Sequence, residues 1–243
     1  MVVRGFRVPK QGHAEEEYED ALRSRVADGD AAARVAIADG ATGSSFSGLW
    51  AGLLCDAYVA EPFADGPSLM TRLPDLGRAW KAQVDRQPLP WFAEEKARAG
   101  AFAAFLGLTV GGDGAWQALA VGDCCLFQVR GEDLVTAFPL SRADDFSDSP
   151  ALVGTFPVDN TGLAAHVRVA SGAYAPGDVF YLMTDALAAW FLGAREAGQS
   201  PWRWFTNLSS DPRFAKLVAE LRDSGRLAND DVTLARVEVE AGT

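Results

Sequence analysis

Residues 102–138 read FAAFLGLTVGGDGAWQALAVGDCCLFQVRGEDLVTAF, and this stretch decides the fold. It holds four apolar runs of strand length, separated by short glycine- and aspartate-rich segments at residues 111–114, 122–123 and 131–133. Such short turns are typical of β-hairpins and are too short for crossover helices. The stretch therefore predicts successive antiparallel strands at Phe102–Val110, Trp116–Val121, Cys125–Val129 and Leu134–Phe138.

The same patterns extend outward along the chain. Further strands are predicted at Arg34–Ala38, His166–Ala170, Val179–Met183 and Val232–Val239, with another hairpin turn at residues 176–178. Helical periodicity appears at Phe46–Val59, where Ser44 and Ser45 are cap candidates, and at Leu76–Val84, Trp91–Ala101, Ala186–Leu192 and Pro212–Leu221. Strands in the middle with helices before and after predict an α+β fold. No linker or internal repeat is evident, so we expect one domain over residues 1–243.

The charge balance limits the classes of partner. With 22 basic and 33 acidic side chains, the chain has a net charge of −11 and would repel a phosphate backbone. The most apolar run, Ala99 to Val110, is too short to span a bilayer. We therefore expect a cytoplasmic protein that binds neither nucleic acid nor membrane, and whose preferred small ligands are cations.

Cysteine and histidine are too few for a disulfide scaffold or a zinc centre. The three cysteines, Cys55, Cys124 and Cys125, lack paired zinc spacing, and the histidines are His13 and His166. The adjacent pair Cys124 and Cys125 is interpreted as a small buried residue followed by a solvent-facing one, without redox chemistry.

Acidic residues cluster at the ends of predicted strands. Asp39, Asp123 and Asp185 each follow an apolar run, and the pair Asp230-Asp231 precedes the last one. In an antiparallel sheet the start of one strand lies beside the end of its neighbour, so these acids can share one rim. Carboxylates that meet repel one another unless a cation lies among them, and oxygen ligands indicate Mg²⁺ or Mn²⁺. Each motif alone also fits an ordinary turn or helix cap.

Five short motifs, taken in order, resemble those of the metal-dependent type 2C protein phosphatases, the bacterial-type serine/threonine phosphatases included. They are EYEDA at Glu17–Ala21, VAIADGATGS at Val35–Ser44, AVGDCCLF at Ala120–Phe127, GDVFYLMTDAL at Gly177–Leu187 and NDDVTL at Asn229–Leu234. The resemblance implies a central sandwich of two antiparallel sheets flanked by helices on both sides.

The resemblance also implies a site for two Mg²⁺ or Mn²⁺ ions and a third, weaker one. Asp39 would bridge two ions and orient a water between them; one ion would also use Glu19, Asp20 and the Gly40 carbonyl, the other Asp185 and Asp230, and the third Asp123. The implied reaction is hydrolysis of phosphoserine or phosphothreonine in a protein by that water, opposite a serine/threonine kinase. No covalent intermediate is implied.

One departure from the family pattern concerns how substrate phosphate is held. The arginine that usually precedes the first acidic pair is absent, and Glu15, Glu16 and Glu17 fill that interval. Lys10 and His13 are the nearest cations, and His13 is the slightly better match because some bacterial relatives have a histidine there. Two alternatives stay open: a weak or inactive phosphatase-like binding module, and a hydrolase of small phosphate esters.

The aromatic run at residues 201–205 has two interpretations. Trp202, Trp204 and Phe205 could form a docking surface near the substrate, or they could be buried packing, which is the more common role of such a run.

Overall fold

The computed structural model describes residues 1–27, 32–44, 46–88 and 91–240, with the backbone alone at 91–93 and 96. Across these residues the strands are β1 Val2–Val8, β2 Ala21–Val26, β3 Ala33–Gly40, β4 Phe102–Val110, β5 Ala115–Val121, β6 Cys125–Arg130, β7 Asp133–Phe138, β8 Val153–Gly154, β9 Arg168–Ala173, β10 Asp178–Met183 and β11 Val232–Glu238. The α-helices are α1 Ser47–Ala60, α2 Gly66–Val84, α3 Trp91–Arg98, α4 Asp185–Glu196, α5 Arg203–Thr206 and α6 Asp211–Asp223.

The strands form two sheets in which neighbours run antiparallel. One has the order β1-β11-β10-β6-β7, and the other has the order β2-β3-β4-β5-β9 with β8 paired to β4. One apolar cluster fills the space between the sheets, and two more cover their outer faces, one against α1 and α2 and one against α4 and α6. The predicted α+β sandwich of two antiparallel sheets flanked by helices is confirmed.

Two of the four predicted hairpin turns do not close hairpins. The turn at 111–114 joins β4 to β5 and that at 131–133 joins β6 to β7, as expected. The turns at 122–123 and 176–178 instead carry the chain from one sheet to the other. Gly122 has a φ of +91°, and a Cβ there would lie 2.7 Å from Ala104 Cβ. The sharp turn therefore needs glycine, but its sequence does not reveal which sheet follows.

The interpretation of Cys124 and Cys125 was half wrong, because both are fully buried. Cys124 contributes to the apolar cluster between the sheets, whereas Cys125 packs on the helix-covered outer face. Alternation does place the two side chains on opposite faces, but in this sheet both faces are covered. Neither side chain reaches solvent.

Helix boundaries differ from the predictions at both ends: α3 ends at Arg98, before the predicted Ala101, and α4 continues to Glu196, past the predicted Leu192. Helix α1 begins at Ser47 after Phe46, which occupies the cap position with a φ of 62°. Ser44 donates its hydroxyl to Ala41 O instead of capping, and Ser45 lies outside the described residues. Helix α2 starts ten residues before the predicted Leu76 and includes Pro74. Because proline disfavours a helix interior, the sequence pattern did not indicate the part of the helix before it.

The strands missed by prediction are short or lie at edges. Strand β1 alternates apolar residues with exposed arginines, and β2 is mostly exposed, so both have weak apolar patterns. The strand predicted from His166 begins at Arg168, because His166 ends a 3-10 turn at Leu163–Ala165. Among the described helices, none combines the length and apolar character needed to cross a membrane.

Candidate functional site

The acidic motifs meet at one open end of the sandwich. Strand β3 ends there with Asp39 and Gly40, β10 ends just before Asp185, and β11 begins just after Asp230. Val35 and Ile37 point into the cluster between the sheets, and alternation along the strand gives Asp39 the same direction. The site is therefore a cluster of carboxylates at the mouth of the inter-sheet core.

The electrostatics around Asp39 show how closely the acids gather. Burial raises the pKa of Asp39 well above its usual range, and the charges of Asp20, Asp185, Asp123 and Asp230 raise it further. Burial, reinforced by the charge of Asp185, likewise raises the pKa of Asp123 to about 6. The structure thus brings together five of the six aspartate and glutamate residues predicted from the motifs.

Asp20 is the most confined of these acids. The Thr233 hydroxyl donates to Asp20 Oδ2 at 2.7 Å, whereas the buried Oδ1 has no hydrogen-bond partner in the described part of the chain. Burial is the main reason that the pKa of Asp20 rises to about 8, and the charges of Asp231 and Asp185 add to it. A buried carboxylate oxygen without a donor is costly, so this atom is suited to a cation.

Glu19 and Gly40 share a tight contact beside the cluster. The Ser47 hydroxyl, at the start of α1, donates to Glu19 Oε1. A Cβ on Gly40 would lie 2.6 Å from Glu19 O and 2.9 Å from Ser47 Cβ, so only glycine fits. Glu19 is thus next to the end of β3, with one carboxylate oxygen engaged by Ser47.

Of the two cations predicted for phosphate, the structure brings Lys10 to the acids. Lys10 Nζ lies 3.6 Å from Asp230 Oδ1, and the Lys10 charge opposes the rise in the pKa of Asp185. His13 is exposed in the following turn, where its backbone N–H donates to Lys10 O. The placement favours Lys10 over His13, contrary to the order of preference drawn from sequence.

Asp231 is a site residue to which the sequence prediction assigned no role, although it named the pair Asp230-Asp231. Its Oδ1 accepts from the Lys10 backbone N–H and its Oδ2 from the Glu19 backbone N–H, both at 2.7 Å. One carboxylate therefore closes the loop that presents Lys10 and Glu19. The signal was available as the second aspartate of NDDVTL, but the motif alone does not indicate which aspartate faces the other acids.

Tyr18 and Thr233 were also missed. The Tyr18 hydroxyl contacts Thr233 Oγ1, and both side chains are within hydrogen-bonding distance of Asp20 Oδ2. Both positions fall inside quoted motifs, but nothing in the sequence indicates that they meet.

The aromatic run is mainly core. Trp202 and Phe205 are buried beside α4, which agrees with the packing interpretation. Trp204 is 42% exposed, with the Arg226 guanidinium 5.8 Å from its ring centroid.

In the described part of the chain, the acids of the cluster all offer oxygen donors. Among the described residues no group of three His, Cys, Asp or Glu side chains is arranged to hold an ion by direct coordination alone. Mg²⁺ commonly binds through one or two carboxylates and keeps several waters, so an open cluster of acids with an unpartnered Asp20 Oδ1 matches its needs. The donor set fits a hard divalent cation.

Solved structures with a similar fold include several phosphatases. A bacterial serine phosphatase is 14% identical and matches with a TM-score of 0.63 over 100% of this chain and 99% of that chain. The catalytic domain of the serine threonine protein phosphatase PstP, in complex with 2 manganese ions, is 18% identical with a TM-score of 0.57 over 98% and 99%. RsbX in complex with magnesium is 14% identical with a TM-score of 0.53 over 96% and 92%. At these identities the likeness shows the fold.

No curated protein matches the sequence. A family model described as Protein phosphatase 2C matches residues 10–232, a region that contains all the acids of the cluster. Because the match takes in most of the sequence, the chain belongs to the protein phosphatase 2C family.

Proposed function

We propose that the chain is a Mg²⁺- or Mn²⁺-dependent phosphatase that hydrolyses phosphoserine or phosphothreonine in proteins. The observation that carries the proposal is the crowding of the partly buried Asp39 with four other carboxylates at the mouth of the sandwich. Such an arrangement is unfavourable in the absence of a cation, and family members share the fold that creates it. A serine/threonine kinase would supply the substrate.

The proposed ligands form two groups that share Asp39. Asp39, Asp20 and the Gly40 carbonyl would hold one ion, with Glu19 beside them, and Asp185 and Asp230 would join Asp39 at a second. Asp123 would contribute to a weaker third site. The unpartnered Asp20 Oδ1 and the close fit of Gly40 against Glu19 and Ser47 support this division.

Bound divalent ions would supply a nucleophilic water at neutral pH and offset negative charge that develops on the phosphoryl group. The chain's own residues do the remaining work. The carboxylate of Asp39 accepts a proton or hydrogen bond at the centre of the cluster, and the Lys10 ammonium attracts the phosphate dianion. Burial at the sandwich mouth removes competing water and strengthens these interactions.

Lys10 is proposed as the cation that replaces the missing arginine. Its side chain is 28% exposed, and its backbone is fixed by Asp231, so the ammonium is confined to the edge of the cluster. Lysine acts on phosphate as a point charge without the bidentate geometry of arginine. Weaker phosphate binding than in an arginine-containing enzyme is the expected consequence.

The decisive experiment measures hydrolysis of an aryl phosphate with and without Mn²⁺. The wild type is expected to turn over only with the ion, and Asp39→Asn to lose at least about a thousandfold in kcat. Asp65→Asn is the matched control, because it makes the same chemical change at the exposed N-cap of α2, where asparagine caps as well as aspartate. Mn²⁺ binding without turnover in the wild type would leave the phosphatase-like binding module.

Substrate class is tested separately. A phosphoserine or phosphothreonine peptide is expected to give a kcat/KM at least about tenfold above those of small phosphate esters, because binding energy from the flanking peptide contributes to catalysis. The reverse ranking would support the small-ester hydrolase.

A further inference from the structure

We infer that Tyr18 is a positioning residue for the metal site, acting through Thr233 to hold the Asp20 carboxylate in its cation-binding orientation. The inference rests on the proposed divalent-ion dependence. Tyr18 is two residues from Asp20 in sequence, but its hydroxyl reaches Asp20 mainly by way of Thr233, the second residue of β11.

The protons in this chain of contacts have one consistent arrangement when Asp20 is ionised. A carboxylate can only accept, so the single proton of the Thr233 hydroxyl goes to Asp20 Oδ2, at 2.7 Å. The close contact between the Tyr18 hydroxyl and Thr233 Oγ1 then has Tyr18 as donor, and the Val232 carbonyl at 3.3 Å and Asp20 Oδ2 at 3.5 Å are more distant acceptors for the same proton. The relay runs from Tyr18 to Thr233 to Asp20, and it orients one carboxylate oxygen only.

The other carboxylate oxygen is left free by this relay. Asp20 Oδ1 is buried and has no hydrogen-bond partner in the residues that the structure describes. Fixing Oδ2 therefore restricts the direction in which Oδ1 can point, and the charge of Asp185 acts on the same carboxylate. Partners of metal ligands that orient them in this way typically change metal affinity by 10–100-fold when removed.

The Tyr18 hydroxyl is available as a donor, because a tyrosine phenol ordinarily has a pKa of about 10 and keeps its proton at neutral pH. The Arg7 guanidinium lies 5.6 Å from the ring centroid, and a cleft of about 240 Å³ between β1 and β2 reaches Tyr18, Asp20 and Thr233 from outside the cluster.

The test is calorimetric titration of Mn²⁺ into the metal-free protein. Tyr18→Phe keeps the ring and removes the donor, and it is expected to weaken Mn²⁺ binding about tenfold. Tyr58→Phe is the matched control, because Tyr58 is also a buried tyrosine whose hydroxyl bonds a threonine, Thr109, at 3.1 Å and lies away from the acids. This variant removes a comparable neutral hydrogen bond. Because that bond lies away from the acids, Mn²⁺ binding should stay within about twofold of wild type.

A second variant tests the relay itself. Thr233→Val removes the middle hydroxyl of the relay. The double variant with Tyr18→Phe should therefore bind Mn²⁺ no more weakly than Thr233→Val alone. The Mn²⁺ concentration for half-maximal turnover should rise in each single variant, while kcat at saturating Mn²⁺ stays within about twofold.

The outcomes separate this inference from the proposed function. Wild type that binds no Mn²⁺ overturns both. Wild type that binds, with Tyr18→Phe binding equally well or Tyr58→Phe weakened as much, overturns the positioning role and leaves the proposed function standing. Additive losses in the double variant would overturn the relay through Thr233.

Discussion

The two ends of the sandwich each bury an aspartate, and they treat it in opposite ways. Asp178, at the start of β10, is fully buried and accepts hydrogen bonds from the Arg130 guanidinium, the Gln128 amide and the Ala175 backbone N–H. Asp20, at the other end, has a hydroxyl donor on Oδ2 and nothing on Oδ1 within the described chain. At one end hydrogen-bond donors of the protein satisfy the carboxylate. At the other end one carboxylate oxygen has no donor among the described residues.

The pKa directions express the same contrast. Hydrogen bonds and the charge of Arg130 outweigh burial at Asp178 and lower its pKa, whereas burial and neighbouring acids raise that of Asp20 to about 8. Structural carboxylates are compensated within the fold, and an uncompensated one indicates a functional position at which stability is sacrificed. The difference distinguishes the end that carries the proposed site from the opposite end without reference to any relative.

The largest expected effect is a difference in sign between two identical substitutions. Asp178→Asn should destabilise the protein by about 2 kcal/mol, because it leaves the Arg130 bonds without a charged acceptor. Asp20→Asn should stabilise the metal-free protein at pH 8 by about 1 kcal/mol, because it removes a buried charge without breaking an ion pair. Urea unfolding of both variants at pH 8 in a chelator measures this. Destabilisation by both would remove the contrast.

The pH dependence of metal-free stability should follow from the two shifts. Asp20 binds its proton more tightly in the folded than in the unfolded state, so stability is lost as pH rises from about 4 to about 8. Asp178 has the opposite shift, so its contribution is present above the unfolded pKa of about 4 and is lost as pH falls through the lowered folded pKa.

Thermal unfolding of the metal-free protein between pH 5 and pH 8 isolates the contribution of Asp20 to stability. We expect the Tm of wild type to fall by about 5 °C more than that of Asp20→Asn over this range. Saturating Mn²⁺ should reverse the trend, since ion binding needs ionised carboxylates and strengthens as pH rises. Parallel curves for the two proteins would show that Asp20 titrates normally.

The Asp231 carboxylate acts as a clamp on the loop that presents Lys10 and Glu19. This clamp should contribute about 1.4 kcal/mol to the binding of a phosphorylated peptide. Asp231→Asn keeps one acceptor oxygen but turns an NH₂ group toward a backbone N–H, so either Lys10 or Glu19 loses its anchor. We expect KM for a phosphorylated peptide to rise about tenfold at saturating Mn²⁺, with less change in kcat. Asp223→Asn, on the exposed end of α6, is the control. Equal KM values in the two variants would mean that the loop does not need the clamp.

The strands and the principal acids could be predicted because their signals are local. The hairpin at 111–114 and the Asp39-Gly40 strand end each depend on a few consecutive residues, and both were placed correctly. The sheet exchange at Gly122 was not predictable in this way, because the same glycine turn can end in either sheet. The relay was out of reach for a related reason: Tyr18 and Thr233 are 215 residues apart and meet only after both sheets have formed.

The smallest expected effect concerns Lys10, the cation proposed to hold the substrate phosphate. The pair formed by Lys10 and Asp230 is partly exposed, and such pairs contribute no more than about 1 kcal/mol, so the ammonium can leave Asp230 for a phosphate dianion at little cost. Lys10→Met should raise KM for a phosphorylated peptide about fivefold with kcat nearly unchanged, because it removes one point-charge contact to the substrate. His13→Gln, in the exposed turn, should change KM by less than about twofold. A larger effect at His13 would restore the preference drawn from sequence and would mean that the turn closes over the acids when substrate binds.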